Sequence, residues 1–425
     1  MADGVFGAVD HVSSIFLPFG ATSPQGQRIY GISACLLAPD LQTLLLLCDM
    51  GAIYGARVDF QGLKLSNISW KHWTEITSDD QWGVPMAMDV EGMALDNGTG
   101  EVLLSSERPS HFFRLPVPWQ SFVNPDSGNV TKAVWLPHQP SFVEENEVSN
   151  KGLEAFTASA NHTFLAGVEG ALENDDPAVR RIYQVDSSGR SLWSGFLMVD
   201  TFPSHPLGLT ELAAVNLPNQ SGGPHFLSLE RRFSRAEEND IRLYLLDLAG
   251  ASNVSNCSAI CDGPCDLRGE HQCDLDELTS IQKRLVFQWT PTQLLGGLMV
   301  DNYEAMTIIP PQAVGYESVE DLGGLAVLLI NDNNDNPRQI GTQFVLLRLP
   351  FATAGEPTRW PRIMLLLVVL PVLVALCSLC TVFLLCPKAR RRCRRLGRRV
   401  RHQTFEDDDP PVDAGVSKLG RPVAV

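Results

Sequence analysis

Short apolar runs bounded by Gly, Pro, Asn or Asp recur from residue 29 to residue 350 of the 425-residue chain. Val102-Leu103-Leu104, Leu243-Tyr244-Leu245-Leu246, Arg284-Leu285-Val286-Phe287 and Leu325–Ile330 are examples. Runs of this length with turn residues on both sides predict strands, and no stretch of comparable strength at helical period precedes residue 363. The body of the chain is therefore expected to be all-β.

The runs fall into a repeat. Each unit joins an apolar strand preceded by an acidic or small polar residue to a turn and a second strand that ends in an acid. The pairs are Gly31-Ile32-Ser33 with Leu47-Cys48-Asp49, Asp89-Val90-Glu91-Gly92 with Ser105-Ser106-Glu107-Arg108, and Lys151-Gly152-Leu153-Glu154 with Gly167-Val168-Glu169. Leu209-Thr210-Glu211 with Leu229-Glu230-Arg231, and Asp301-Asn302-Tyr303-Glu304 with Asn331-Asp332-Asn333-Asn334, complete the set. Anchored at 33, 91, 154, 211 and 304, the copies lie 58, 63, 57 and 93 residues apart, and a cysteine-rich insert at 251–277 fills much of the longest interval. A period near 60 with several strands per unit predicts the blades of a β-propeller. Length favours six blades, the sixth degenerate or shared between the termini, and also admits five.

Beyond the propeller the pattern changes. Ile363–Cys386 is an uncharged run of 24 residues, and a bilayer core needs about 20 in a helix. Nine Lys or Arg follow between Lys388 and Arg401, so the positive-inside rule puts the tail in the cytoplasm and the long segment outside or in a lumen. The expected layout is an N-terminal segment at 1–28, a propeller at 29–350, a juxtamembrane linker at 351–362, a single transmembrane helix at 363–386 and a tail at 387–425. That tail is basic at first, against anionic lipid headgroups, and then disordered. The residues before Lys388 hold 22 basic and 44 acidic side chains, which excludes a phosphate-tracking nucleic-acid surface and suits cation binding.

Two further counts fit an extracytoplasmic body. Seven N-x-[ST] sequons, at Asn67, Asn97, Asn129, Asn161, Asn219, Asn253 and Asn256, all precede the apolar span. Six cysteines precede it too. Cys257, Cys261, Cys265 and Cys273, spaced C-x3-C-x3-C-x7-C, read as a disulfide-stapled loop rather than a zinc site. Cys35 and Cys48 are evenly balanced between a hairpin bridge and free thiols, and Cys386 and Cys393 are palmitoylation candidates. The first residues, MADGVFGAVDH, have no signal-peptide character, so a leader is expected ahead of Met1.

The segments DVEGMA with LLSSER, NKGLEAF with LAGVEGA, LTELAAV with FLSLERR, and DNYEAM with LLINDNND resemble the phytase-like family, also described as an esterase-like activity of phytase. The resemblance covers about residues 29–350. It implies hydrolysis of esters or phosphoesters, with the repeated acids as the active groups.

In a propeller, equivalent positions gather around the axis. Glu91, Glu154, Glu211 and Glu304, with Ser33, would form one ring, and Asp49, Glu107, Glu169, Glu230 and Asp332 another. Crowded carboxylates raise one another's pKa or share a cation, and hard oxygen ligands favour Ca2+ or Mg2+. The glutamates are the expected catalytic groups, Asp49, Asp301, Asn302, Asp332 and Asn334 the metal ligands, and Arg108, Lys151 and Arg231 the holders of a small phosphoester. The competing reading makes the acids locks between blades, in a non-catalytic receptor or adhesion propeller that binds a protein or glycan. No G-x-S-x-G elbow, Gly-rich phosphate loop or H-E-x-x-H motif occurs.

Overall fold

A computed structural model describes residues 6–352, apart from 80–84, 87, 140, 149, 203–205, 219–223, 235–237, 263–270, 299, 334–338 and 340. The span at 363–386, the tail with Cys386 and Cys393, and Asn219, Cys265 and Asn334 lie outside the described residues. Among the described residues no helix is long and apolar enough to cross a membrane.

Strand β1 (Asp10–Pro18) comes first, and blade one follows as β2 (Ile32–Leu37), β3 (Thr43–Cys48), β4 (Ala52–Gln61) and β5 (Lys64–Asp79). A short β6 (Pro85–Met86) pairs with β5. Blade two is β7 (Asp89–Leu95), β8 (Glu101–Arg108) and β9 (His111–Pro118), and then β10 (Val130–Lys132) and β11 (Val134–Trp135) return to the edges of blades one and two. Blade three is β12 (Leu153–Ala158), β13 (Thr163–Val168), β14 (Val179–Asp186) and β15 (Ser191–Met198). Blade four begins with β16 (Gly208–Val215), β17 (His225–Ser234) and β18 (Glu238–Asp247). It is completed, after an insert holding β19 (Ala259–Cys261) and β20 (Gln272–Asp274), by β21 (Gln282–Trp289). Blade five is β22 (Tyr303–Ile309), β23 (Gly324–Asn331) and β24 (Gly341–Pro350).

The five first strands, β2, β7, β12, β16 and β22, neighbour one another in a closed ring around the axis. There are five blades, not the six that length favoured. The surplus length goes into the 16-residue β5, the β10–β11 return and the insert. The N-terminal segment does not form a separate unit or a sixth blade: β1 pairs antiparallel with β24 and supplies the outer strand of blade five. This closes the ring with residues from both ends of the described chain, so closure does not depend on a local turn.

The core lies between the blades. The alternate inward residues of facing sheets, such as Leu44, Leu46, Leu328 and Phe344 between blades one and five, are fully buried. Burial of apolar area on this scale is the main stabilising term of such a fold. The insert is tied to blade three. Cys257 and Cys273 form a disulfide, Cys261 is disulfide-bonded as well, and the Arg181 guanidinium grips Asp175 while donating to the Cys257 carbonyl. Cys35 and Cys48 are both buried free thiols; Cys35 pairs in register with Leu46 and Cys48 with Ile32, so the two side chains do not meet.

Candidate functional site

Every first strand carries a bulge at the same place. The register slips between Ile32 and Ala34, between Val90 and Gly92, between Leu153 and Phe156, between Leu209 and Glu211, and between Tyr303 and Ala305. A bulge turns its extra residue out of the ladder. Ile32, Val90, Leu153, Leu209 and Tyr303 immediately before it are fully buried and fix the alignment of the blades. Aligned on these residues, the first ring is Ser33, Glu91, Glu154, Thr210 and Glu304.

Blade four therefore presents Thr210 where the acidic repeat put Glu211. Its second strand is offset likewise. Leu209 faces Glu230 as Ile32 faces Cys48 and Tyr303 faces Asn331, so the position of Asp49 and Asp332 is held in blade four by Arg231. Three carboxylates, a serine and a threonine form one ring; four carboxylates and an arginine form the other.

A cavity of about 460 Å³ opens at this end of the axis. Its wall contains Asp49, Asp89, Glu91, Glu154, Asp301, Glu304 and Asp332 against the two cations Arg108 and Arg231. Arg231 donates to Glu304 at 2.5 Å and lies 3.9 Å from Glu169. Arg108 sits at the rim, held by two hydrogen bonds to Asp89 and one to Asn150. Lys151 is paired with Glu169 and lines a neighbouring hollow instead. Gly208 allows this approach, because a Cβ there would stand 2.6 Å from a Glu169 carboxylate oxygen.

The carboxylates divide by what they bond. Glu107 accepts the Gly152 backbone N–H at 3.0 Å and ties blade two to blade three. Asp301 is saturated by its own blade: Asn302 N–H, Asn331, Gln339 and Gln343 all donate to it. Asn302 donates to Glu304. Glu154 differs. It is buried, and its Oε2 has no hydrogen-bond partner. A buried carboxylate oxygen with no donor is costly unless a proton or a bound cation satisfies it.

Among the described residues, two trios place one oxygen each within 4.8 Å of one another: Asp89, Glu91 and Glu107, and Glu107, Glu154 and Glu169. The tightest groups thus come from the expected catalytic glutamates and Asp89, which the sequence reading did not single out. Asp49, Asn302 and Asp332 line the cavity wall, and Asp301 is occupied as described.

The electrostatics follow the crowding. Burial, then Glu304 and Asp89, push Glu91 well above the usual carboxylate range. Burial and Glu169 do the same to Glu154, against the pull of Arg231. Glu107 is pushed up to about 7 by burial and Glu169. Burial also raises Glu304, with Arg231 opposing. A crowded, partly protonated acid cluster of this kind has its charge balanced by protons or by a bound cation.

Glu211 and Glu230 stand apart from this cavity. Glu211 faces the opposite end of the axis, among Cys35, Met93, Phe156 and Met306, and accepts the backbone N–H groups of Phe156 and Leu212. Glu230 is fully buried against Lys283 at 2.8 Å, toward the outer strand of its blade. Glu211 thus ties blade four to blade three, whereas Glu230 is held within its own blade. The sequon asparagines Asn67, Asn97, Asn129, Asn161, Asn253 and Asn256 are exposed, and none lines the acidic cavity.

The fold and this site define a five-bladed β-propeller with an acidic axial cavity. The chain belongs to the phytase-like family, described as an esterase-like activity of phytase, whose profile matches residues 27–335. No curated protein matches the chain. Among solved structures it is similar to hydrazine synthase of Kuenenia stuttgartiensis, at 10% identity over 72% of this chain and 78% of that one, with a TM-score of 0.32. It is also similar to a luciferin-regenerating enzyme, at 9% identity over 77% and 94% with a TM-score of 0.35. A third likeness is to the Pan2 WD40 domain of Neurospora crassa, at 10% identity over 83% and 98% with a TM-score of 0.32. Likenesses this distant carry no argument about activity.

Proposed function

We propose that this protein is a membrane-anchored, extracytoplasmic phosphoester hydrolase whose axial cavity takes a divalent cation of the Ca2+ or Mg2+ class. The observation that carries the reading is the unpartnered, buried Oε2 of Glu154, set among carboxylates that converge from blades two, three and five. The donor set fits a hard cation, since it is all carboxylate oxygen with no thiolate or imidazole. Either of the two trios, Asp89, Glu91 and Glu107 or Glu107, Glu154 and Glu169, would hold it. A bound cation of this class polarises a phosphoryl oxygen and lowers the pKa of water.

The chain's own groups supply the rest. Arg231 and Arg108 offer charge-assisted donors to the ester's oxygens at the inner wall and at the rim. Burial, with Glu304 and Asp89 close by, raises the pKa of Glu91, so this glutamate can hold a proton when no cation is bound. The bond from Glu107 to blade three, and the bonds that Asp301 accepts within blade five, fix the wall against which these groups work. Anchoring by residues 363–386, with the propeller on the luminal or extracellular side, rests on the apolar run, the basic flank and the sequons.

A non-catalytic propeller is the second reading, favoured by the saturation of Asp301 and Glu211 with donors from the protein itself. The test is metal content and turnover of a generic aryl phosphate by the full-length chain in detergent, with and without chelator. Stoichiometric metal and turnover that is lost with chelator and in Glu91→Gln support the hydrolase. A folded, metal-free and inert protein would make the acids locks throughout.

A further inference from the structure

A hollow of about 530 Å³ lies against the outer strands of blade three. Three segments build it: β14 with β15, residues 254–258 of the cysteine-rich insert, and the chain around His138 and Gln139. The insert is bound to β15 by the Val254 N–H, which donates to the Ser194 carbonyl at 2.8 Å, and to β14 by the Arg181 guanidinium on the Cys257 carbonyl. Gly189, in the turn between β14 and β15, lets the His138 segment close in, since a Cβ there would overlap the His138 carbonyl oxygen.

The wall carries hydroxyls that the protein leaves unmet. Ser194 is 1% exposed and Tyr183 8%, both line the hollow, and neither side-chain oxygen has a hydrogen-bond partner among the described residues. The Arg181 guanidinium stands near Tyr183 but turns to Asp175 and to the Cys257 carbonyl. A buried hydroxyl is costly until a donor or acceptor reaches it. The two arginines of the wall are matched, Arg181 by Asp175 and Arg190 by Asp186, so a neutral partner fits better than an ion. Val143, Val185 and Val254 add apolar surface beside the hydroxyls. Apolar surface next to groups that both donate and accept suits the face and the hydroxyls of a sugar ring.

A sugar has a point of attachment here. Asn256 opens the sequon Asn256-Cys257-Ser258, is exposed and lines the hollow; among the described sequon asparagines it alone does so. Its neighbour Asn253 is built into the loop instead, its Oδ1 accepting the Ser255 hydroxyl at 2.6 Å and the Ser255 N–H at 3.1 Å. We propose that Asn256 carries an N-linked glycan whose first N-acetylhexosamine is seated in this hollow and ties the insert to blade three. The inference rests on the extracytoplasmic placement proposed above, because attachment takes a luminal transferase and a polyisoprenyl-diphosphate sugar donor. The Asn256 side-chain nitrogen loses a proton to the transferase and bonds to C1 of the sugar, while the bond from C1 to the diphosphate breaks and the diphosphate leaves with its electron pair. Once tethered, the sugar reaches Ser194 and Tyr183 without the cost of capture from solution. Seated in the folded chain and not in the unfolded one, it stabilises the fold as a bound ligand does.

The test uses the full-length chain from a secretory host, in detergent, with site occupancy read by peptide mass spectrometry. Asn256 is expected to be occupied. In the folded chain an amidase that cleaves the Asn–sugar bond should release its glycan at least about tenfold more slowly than those at Asn67 and Asn129, and at the same rate after unfolding. Trimming every glycan to its first sugar should leave Tm unchanged, whereas Asn256→Gln should lower it by about 2 °C or more. Ser194→Ala should shrink that loss, and a loss of full size in its background overturns the seat. An empty Asn256 on a chain occupied at Asn67, Asn97, Asn129 or Asn161 overturns the inference and leaves the extracytoplasmic reading standing. A chain with no sequon occupied overturns both. An occupied Asn256 whose glycan is released as fast as the others, or an Asn256→Gln chain with the Tm of the wild type, overturns the seat. Should Asn256→Gln fail to fold, the release rates in the unsubstituted chain decide.

Discussion

Replacing Arg231 by Met tests whether the cavity is held together by charge. The guanidinium faces Glu304 at 2.5 Å and Glu169 at 3.9 Å, with side-chain exposures of 15% and 12% for Arg231 and Glu304. Burial would lower the arginine's pKa, yet Glu304, Glu169, Glu154 and Asp332 together raise it, so its charge is fixed. Removing one partner of a buried pair costs about 3–5 kcal/mol, because the other charge is left uncompensated. With an unfolding entropy of about 2.1 cal/mol/K per residue over roughly 350 residues, that is a fall in Tm of about 4–7 °C. Glu304→Gln should cost less, since Arg231 keeps Glu169. In the double variant the penalties should overlap, giving a coupling energy of about 2 kcal/mol in a double-mutant cycle read by thermal unfolding in chelator. The deficit of Arg231→Met should also shrink at low pH, where Glu304 and its neighbours take up protons. Strictly additive penalties, or a Tm change below about 1 °C for Arg231→Met, would refute the reasoning.

Glu107, raised from 4.5 to about 7, binds a proton more tightly in the folded state, so its stabilising contribution is complete below its unfolded pKa and is lost as pH rises through 7. The 2.5-unit difference is on the order of 3 kcal/mol, so the chelated protein should melt several degrees lower at about pH 8 than at about pH 4, and calcium should restore stability only at the higher pH. A melting point in chelator that does not fall with pH would contradict this. Replacing Cys257 and Cys273 by Ser opens a bridge with a sequence separation of 16 and should cost about 3 kcal/mol, read as a lower Tm. Deleting residues 1–18 removes β1 and exposes the edge of β24, so the product should aggregate, measured by light scattering. Enzymatic deglycosylation of the chain from a secretory host should lower its apparent mass, since the described sequon asparagines are exposed; an unchanged mass would count against a luminal propeller.

The sequence made the strands and the blade period legible because both depend on local chemistry: apolar runs, turn residues and a spacing near 60. It misread blade four by one residue because the acids were taken as the anchor. Glu211 and Glu230 lie one position from the ring residues Thr210 and Arg231, and in a strand one position reverses the face. The dependable markers were the fully buried Ile32, Val90, Leu153, Leu209 and Tyr303 that precede each bulge. Packing constrains such residues in every blade, whereas the polar residue after them is free to vary with the chemistry of the site. Aligned on the apolar residue, the text Leu209-Thr210 and Glu230-Arg231 would have disclosed the one blade that departs from the acidic pattern. Blade count was illegible for another reason: the pairing of β1 with β24 joins residues more than three hundred positions apart, and no local signal reports it. The lone arginine of the second ring is therefore the most informative residue of the site. Symmetry alone would place an acid at its position, and the arginine that stands there neutralises Glu304 and lines both the acidic cavity and the hollow between blades three and four.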